Sequence, residues 1–404
     1  MDFLFNTLPH NPTTPRTPDP PNKVFVSLTI TLQSTTVRLL PNFNKQRIRM
    51  AYRSVITGSG SYIPSVIIEN SHFLSHRFME QDGTAINKSN EEIIERFKEI
   101  TTISERRYLS DELNSSDMGA FAGMQAIESA GIDPEELDYI IVAHNAGEAT
   151  ALERKVDVIP SLGARIKQKM GIKNPATVAY DVIFGCPGWL QCVIQADYFI
   201  RSGDAKKILV IGTESLSRLC DPHDRDSMIY ADGAGAVVLE SKETEEKIGI
   251  IGHASQTDAL EYCNMLFMGK SKGTSNDDLF LKMHGRRLYS YALQHVPLAI
   301  KGCLDKCGVD IRSVKKILIH QANGKMDEAI LERLYKLYDI EVAPMDVMPM
   351  TISWLGNSSV ATLPTLYDLI QKGAMPGNEL NEGDTIVFAS VGAGMSINAA
   401  VYRV

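Results

Sequence analysis

The chain of 404 residues is short of several things, and each shortage excludes something. No apolar run approaches the roughly 18 residues that a helix needs to span a bilayer, so no membrane segment is expected. Positive charge is in deficit: the net charge of −8 argues against nucleic acid as a general partner, and contact with an acidic protein would need a local basic patch. The six cysteines, Cys186, Cys192, Cys220, Cys263, Cys303 and Cys307, form no paired framework, and no basic start with an apolar stretch behind it marks a secretory signal. They read as reduced thiols of an intracellular, cytoplasmic protein. Cys303 and Cys307 lie four apart without the companion pair that a tetrahedral metal would want, so neither metal nor cofactor is expected. What is present, 44% hydrophobic and 22% charged residues, describes a globular chain large enough for two core-forming units.

Residues 1–49 stand apart. They hold seven of the 18 prolines, six Lys/Arg and only two acids, Asp2 and Asp19, a composition that buries little. We read this stretch as disordered, or as sequence upstream of a natural start at Met50; a basic, acid-poor leader also fits an organelle-targeting peptide. From Met50 the pattern becomes regular. Ser54–Asn70 reads as a strand, a Gly-rich turn and a short return, and Glu91–Glu99 and Met118–Gly131 read as helices. Strand and helix alternating in this way predict an α/β protein with mostly parallel, mixed sheets.

An internal repeat organises the remainder. DYIIVAHNAG (Asp138–Gly147) and KKILIHQANG (Lys315–Gly324) are each an apolar strand ending in a histidine and an amide-rich turn, and each leads into a helix. A strand-turn-helix follows in both, VAYDVIFGCPGWLQCVIQADYFIRSG and VMPMTISWLGNSSVATLPTLYDLIQKG, and a further strand closes each unit, KKILVIGTES and DTIVFASVGAG. The expectation is two duplicated halves, 50–240 and 241–404. In this register Cys186 and Asn357 sit in matching turns, which face each other if the halves pack about a pseudo-twofold axis.

Cys186 lies between an apolar strand and a helix that begins near Pro187 and stops at Gly203. Backbone N–H groups at a helix N-terminus favour the thiolate, which is the nucleophile. On this stretch alone a buried cysteine acting as a small hydrophobe stays an equal alternative. His320 closes an apolar strand, where open parallel sheets gather ligand-binding groups, and Asn357 opens a helix. Each also has a plain structural reading, as a strand cap and a helix cap. The duplication brings Cys186, His320 and Asn357 toward one locus. His144, the repeat-mate of His320, is read as a mark of shared ancestry and not as a second catalytic group.

YDVIFGCPGW, DPHDRDSMIYADGAGAVVLE (Asp221–Glu240), HQANGKM, GNSSVATLP and VGAGMSINAAVYRV, in that order, resemble the β-ketoacyl-ACP synthase III family of the thiolase superfamily. The resemblance runs from about Met50 to Val404. It implies a thiolase-like five-layer α/β fold of two halves, a homodimer, and an acyltransferase that joins an acyl primer to malonyl carried on acyl carrier protein (ACP) in fatty acid biosynthesis. The family's Cys-His-Asn trio falls on Cys186, His320 and Asn357, and its oxyanion donors on the backbone N–H groups of Cys186 and Ala393. Asn323 and Gly285 resemble positions lining the pantetheine tunnel. Arg225 resembles the arginine that holds the nucleotide end of coenzyme A, and Ile159 the residue lent to a partner's acyl pocket. Arg286, Arg287 and Lys325 form a candidate carrier-protein patch, with a solvated surface face as the alternative.

The departures matter as well. The family's tryptophan that stacks on adenine is missing from EEIIERFKEITTISERR, Ile100 stands where an arginine follows it, and Thr102 replaces a glycine. Trp189 brings bulk close to the nucleophile, and the loop HNAGEATALERKVDVIPS is longer than the family's. These point to a carrier-bound primer and to a reshaped pocket. They keep open a specialised ketosynthase that condenses β-ketoacyl or enone units into dialkylresorcinol-type products. Two other classes are weighed beside it: a papain-like hydrolase, which also runs Cys, His, Asn but whose local cysteine signature is missing here, and a non-catalytic homologue.

Overall fold

The computed structural model describes residues 51–151, 156–274 and 277–404, so the expectation for residues 1–49 lies outside the described residues. Two large sheets dominate. The first holds β1 (Ala51–Tyr62), β2 (Tyr139–His144), β3 (Val178–Ile183), β4 (Lys207–Ser215) and β5 (Asp232–Thr244), in the order β1-β5-β4-β2-β3. The second holds β6 (Gly249–Thr257), β7 (Val314–Ile319), β8 (Thr385–Gly392) and β9 (Ser396–Arg403), in the order β6-β9-β8-β7.

The two orders superimpose. β1 and β6 pair antiparallel with β5 and β9. Those in turn pair antiparallel with β4 and β8. β4 and β8 then pair in parallel with β2 and β7. Parallel pairing, expected to dominate, is thus confined to β4, β2 and β3 in one sheet and to β8 and β7 in the other. β1 also corrects an expectation: it runs unbroken through Gly58 and Gly60, with a bulge near Ile56, where a turn was read.

Among the described residues β3 has no counterpart in the second sheet, although VMPM (347–350) was expected to begin one. Pro349 has no N–H to give a ladder. The Gln321 side chain takes the place of a neighbouring strand: its Nε2 donates to Pro349 O (3.0 Å), and its Oε1 accepts from Thr351 N (2.7 Å) and Ile352 N (2.9 Å).

Period-2 alternation sends each strand's apolar residues to two cores. In β2, Ile141 and Ala143 face a central core, and Ile140 and Val142 an outer one. In β8, Ile386 and Phe388 point inward, and Val387, Ala389 and Val391 outward. The central core is filled by α4 (Gly188–Ser202) and α7 (Thr362–Gln371), sandwiched between the sheets through Leu190, Ile194, Leu366 and Ile370. The outer face of the first sheet is covered by α2 (Ser115–Ala130) and α3 (Leu162–Lys169). That of the second is covered by α5 (Gly285–Cys307) and α6 (Gly324–Lys336). The result is five layers, helix-sheet-helix-sheet-helix. Each fully buried Leu or Ile contributes about 1.5–3 kcal/mol, so the sandwiched pair is firmly held. One helix, α1 (Asn90–Thr101), starts with a capping box between Ser89 and Glu92, and its side chains help to line the main cavity.

Candidate active site

The parallel strands deliver their C-terminal ends to one place, as open α/β sheets do. β3 ends at Ile183, and the turn through Cys186 leads into α4 at Gly188. β7 ends at Ile319, and the next residue, His320, donates its backbone N–H to Ala389 O on β8 (2.8 Å). β8 runs into the Gly392-Ala393 turn. Two glycines let these turns touch. Gly185 has φ 69°, and a Cβ there would lie 2.8 Å from Ala393 N; a Cβ on Gly392 would lie 2.6 Å from Cys186 N. The backbone N–H groups of residues 186 and 393 are thereby brought into one locality.

Asn357 is set by its own local bond and two neighbours. Its Oδ1 accepts from Ser359 N (2.8 Å), an Asx turn and not the helix cap that the sequence also allowed. Its backbone joins the 229–231 segment through Asn357 N to Ile229 O (3.0 Å) and Ala231 N to Asn357 O (2.8 Å). With the side-chain oxygen engaged, Nδ2 is the group left for the pocket.

Cys186, His320 and Asn357 all line one cavity of about 480 Å³, with a mainly apolar wall. Its exposed lining residues, Lys88, Glu92, Arg96, Arg225 and Arg286, mark a mouth between α1, the 221–229 loop and the start of α5. Gly285 and Asn323 lie along the wall; the Asn323 side-chain oxygen caps α6 by accepting from Met326 N (3.1 Å). A network of Lys282 with Asp221 (2.5 Å) and Asp224 (3.3 Å), nearly all buried, ties the Arg225 loop to the Leu279–Met283 strand.

Burial dominates the ionisation of Cys186 and His320. It pushes the Cys186 thiol up to about 11, helped by the negative charge of Glu214 and opposed by a hydrogen bond from Ser359. Burial thus acts against the thiolate that a helix N-terminus favours. His320, 3% exposed and with Nδ1 unpartnered, is pushed down to about 4 by burial and is a neutral imidazole. Burial raises Glu214 to about 7 against the bonds it accepts from Asn145.

Other sequence-derived positions fall differently. Trp189 is 1% exposed and packs edge-on against Phe388 (5.7 Å) in the central core, so it does not reshape the cavity: one helical turn beyond Cys186, it faces the second sheet. Ile159 is 83% exposed and lies outside this chain's cavity. Arg287 lines a separate small pocket with His284 and Glu261, and Lys325 is paired with Glu328 (3.1 Å). His144 has both ring nitrogens engaged, Nε2 with Asp181 (3.0 Å) and Nδ1 accepting from Gly147 N (2.8 Å). The sequence reading missed Arg96, one turn before Ile100 and on the same face of α1, and the Ser359-Asn145-Glu214 cluster behind Cys186. An i, i+4 comparison along α1 would have found the first; the second joins segments too distant for any local pattern.

The comparisons follow this geometry. Residues 180–259 match the profile of 3-oxoacyl-[acyl-carrier-protein (ACP)] synthase III, and residues 304–404 match that of its C-terminal part. The chain is 31% identical over 351 residues to β-ketoacyl-[acyl-carrier-protein] synthase III 1 of Vibrio vulnificus YJ016, covering 87% of this chain and 99% of that one. It is 30% identical over 360 residues to the β-ketoacyl-[acyl-carrier-protein] synthase III of Cereibacter sphaeroides ATCC 17023, covering 88% and 100%. Among solved structures, 3-oxoacyl-[acyl-carrier-protein] synthase III from Aquifex aeolicus VF5 superimposes with a TM-score of 0.69 at 27% identity, covering 87% of this chain and all of that one. The priming β-ketosynthase of the R1128 polyketide pathway, at 24% identity and a TM-score of 0.71, shares the fold. Fold, matched segments and relatives agree: the chain belongs to the β-ketoacyl-ACP synthase III family.

Proposed function

We propose that this chain is an acyltransferase that catalyses a decarboxylative Claisen condensation between an acyl primer held on Cys186 and malonyl-ACP, the initiating step of fatty acid synthesis. The observation that carries the reading is the convergence of Cys186, His320 and Asn357 on one cavity beside the touching turns of Cys186 and Ala393. The Cys186 sulfur attacks the primer thioester, an acyl-enzyme forms, and the carrier thiol leaves with the proton. The backbone N–H groups of Cys186 and Ala393 receive the tetrahedral oxyanion.

After malonyl-ACP enters, CO₂ departs and charge develops on the thioester oxygen. A neutral His320 and the Nδ2 of Asn357 are both hydrogen-bond donors suited to that enolate, and burial makes each bond stronger than it would be in water. The carbanion then attacks the acyl-Cys186 carbonyl. The thiolate leaves and takes up a proton, giving β-ketoacyl-ACP. Asn323 and Gly285 flank the pantetheine arm, Arg225 and Arg286 meet its phosphate end, and Arg287 and Lys325 extend the surface offered to the acidic carrier.

A second reading is favoured by α1: its exposed residues on the cavity are Glu92, Arg96 and Ile100, and the family's adenine-stacking tryptophan is missing from this segment. The primer then arrives on a carrier protein, as in a specialised ketosynthase that condenses β-ketoacyl or enone units. The two halves, 50–240 and 241–404, are read as a duplication. A homodimer is supported by edge strand β3, whose Val178 and Ile183 are 48% and 64% exposed, and Ile159 is available to a partner's acyl pocket. The free cysteines fit action in the reducing cytoplasm.

Intact-protein mass after incubation with acyl-CoA and acyl-ACP thioesters tests all of this. A mass increment that Cys186→Ala abolishes is expected. Labelling from short acyl-CoA supports initiation, and labelling from acyl-ACP alone supports the specialised branch. No increment from any thioester overturns the condensing assignment.

A further inference from the structure

Three polar side chains of the cavity carry the proposed condensation, and a further one on the same wall, Tyr230, has no part in it. Tyr230 is 4% exposed, and among the described residues its hydroxyl has no hydrogen-bond partner. A buried hydroxyl left unpaired costs about 1–3 kcal/mol. A phenylalanine of the same shape would avoid that penalty, so the oxygen calls for a partner from outside the chain.

The backbone decides where this side chain stands. Tyr230 and Asn357 form a parallel β-bridge, flanked by the bonds of Asn357 N to Ile229 O (3.0 Å) and of Ala231 N to Asn357 O (2.8 Å). Residues paired in this way lie roughly 4.8 Å apart and send their side chains to the same face. Both line the cavity, so the phenol stands beside the Asn357 amide. Its ring belongs to an apolar cluster with Ile103, Leu219 and Ile352, which holds it there. Burial keeps its ionisation well above the ordinary range, and the neighbouring Cys220, Asp226, Cys186 and Asp224 act in the same direction. Tyr230 is therefore a neutral hydrogen-bond donor.

The acyl chemistry says what such a donor receives. In the proposed reaction His320 and Asn357 Nδ2 hold the thioester oxygen, which is on C1. C2 stays free, because it becomes the carbanion. The nearest further oxygen that an acyl group can present is on C3. We propose that the Tyr230 hydroxyl donates to an oxygen on C3 of the extender and selects thioesters that carry one, whether the carboxylate of a malonyl group or the ketone of a 3-oxoacyl group. The inference rests on the condensing reading and names the group that its extender must carry.

Three carrier thioesters that differ at C3 test it: butyryl-ACP has a methylene there, acetoacetyl-ACP a ketone and malonyl-ACP a carboxylate. Binding to Cys186→Ala protein, which cannot be acylated, is read by stopped-flow anisotropy of labelled carrier immediately after mixing, before any decarboxylation. With Tyr230 intact, at least one of the two oxygenated thioesters should bind several-fold more tightly than butyryl-ACP; equal affinity for all three overturns the proposal. Tyr230→Phe should weaken the preferred thioester about tenfold and leave butyryl-ACP unchanged. Loss confined to acetoacetyl-ACP assigns the ketone, and loss confined to malonyl-ACP the carboxylate. A preference that survives Tyr230→Phe, or an equal loss for butyryl-ACP, overturns the proposal. Without ligand, the melting temperature of Tyr230→Phe should hold or rise; a fall would show that the hydroxyl already has a partner within the protein, which also overturns it. Binding of none of the three carriers is a separate result: it overturns the condensing reading itself, and the role of Tyr230 with it.

Discussion

The two histidine turns of the repeat, His144-Asn145 and His320-Gln321, share a sequence pattern and a place at the end of a parallel strand, yet they are wired in opposite ways. In the first half Asp181 and Gly147 N occupy both nitrogens of His144, and Asn145 spends its amide on Glu214 and Ser359. In the second half His320 keeps an unpartnered Nδ1 and lines the cavity, while Gln321 staples the 349–352 backbone that leads to Asn357. The strand order recurs; the partners do not. A histidine whose ring is fully bonded is structural, and one left partly unbonded at a cavity wall is available for chemistry.

The sharpest way to break the comparison is to delete each ring. His320→Ala should lower the decarboxylation rate at least about 100-fold, the loss expected for one preorganised donor, with little change in melting temperature. His144→Ala should do the reverse, costing about 1–3 kcal/mol of stability for the polar groups it leaves unpaired while the folded fraction still acylates Cys186. Thermal melts beside single-turnover decarboxylation of malonyl-ACP separate the two; equal activity losses would dissolve the distinction.

The amides come next. Gln321→Leu leaves Thr351 N, Ile352 N and Pro349 O without their partner and should cost about 1–3 kcal/mol in denaturant titrations. Activity should fall with it, because Asn357 lies at the end of the stapled segment.

The second half also carries a cost that should be removable. Asp327 on α6 is 0% exposed, neither carboxylate oxygen has a partner, and burial holds its ionisation well above the ordinary range. A raised carboxylate leaves stability intact below the unfolded value near 4 and reduces it as pH rises above that value. Asp327→Leu should therefore stabilise the protein by about 1–3 kcal/mol at pH 7, with the gain shrinking toward pH 4. A gain independent of pH would show that ionisation is not its cause. The smallest effect is expected at Thr102, whose φ of 65° is strained for a β-branched residue and whose side chain crowds Gly324 at the start of α6. Thr102→Gly should add about 1 kcal/mol, read as a rise in melting temperature.

Much of this was legible before any coordinates. The strands ending at His144 and His320 and the turn before α4 follow from local apolar periodicity and turn residues, which depend on neighbours a few positions away, whereas the trio was assigned through the repeat and the family resemblance. VMPM was misread because its apolar content resembles a strand, while the partner that satisfies its backbone is a side chain about 30 residues earlier. Trp189 was misplaced for a related reason: its spacing from Cys186 is visible, but the layer it faces depends on how the second sheet packs against α4.

The sequence by itself determined the strands, the turns and the α/β alternation, because periodicity and glycine placement are properties of short segments, and its motifs carried the resemblance to the family. Only the tertiary structure decided which histidine keeps an unpartnered nitrogen, that Cys186, His320 and Asn357 line one cavity, and that Ser359 is bonded to Asn145. Those outcomes depend on burial and on bonds such as Asn145 to Ser359, 214 residues apart, which no local pattern encodes.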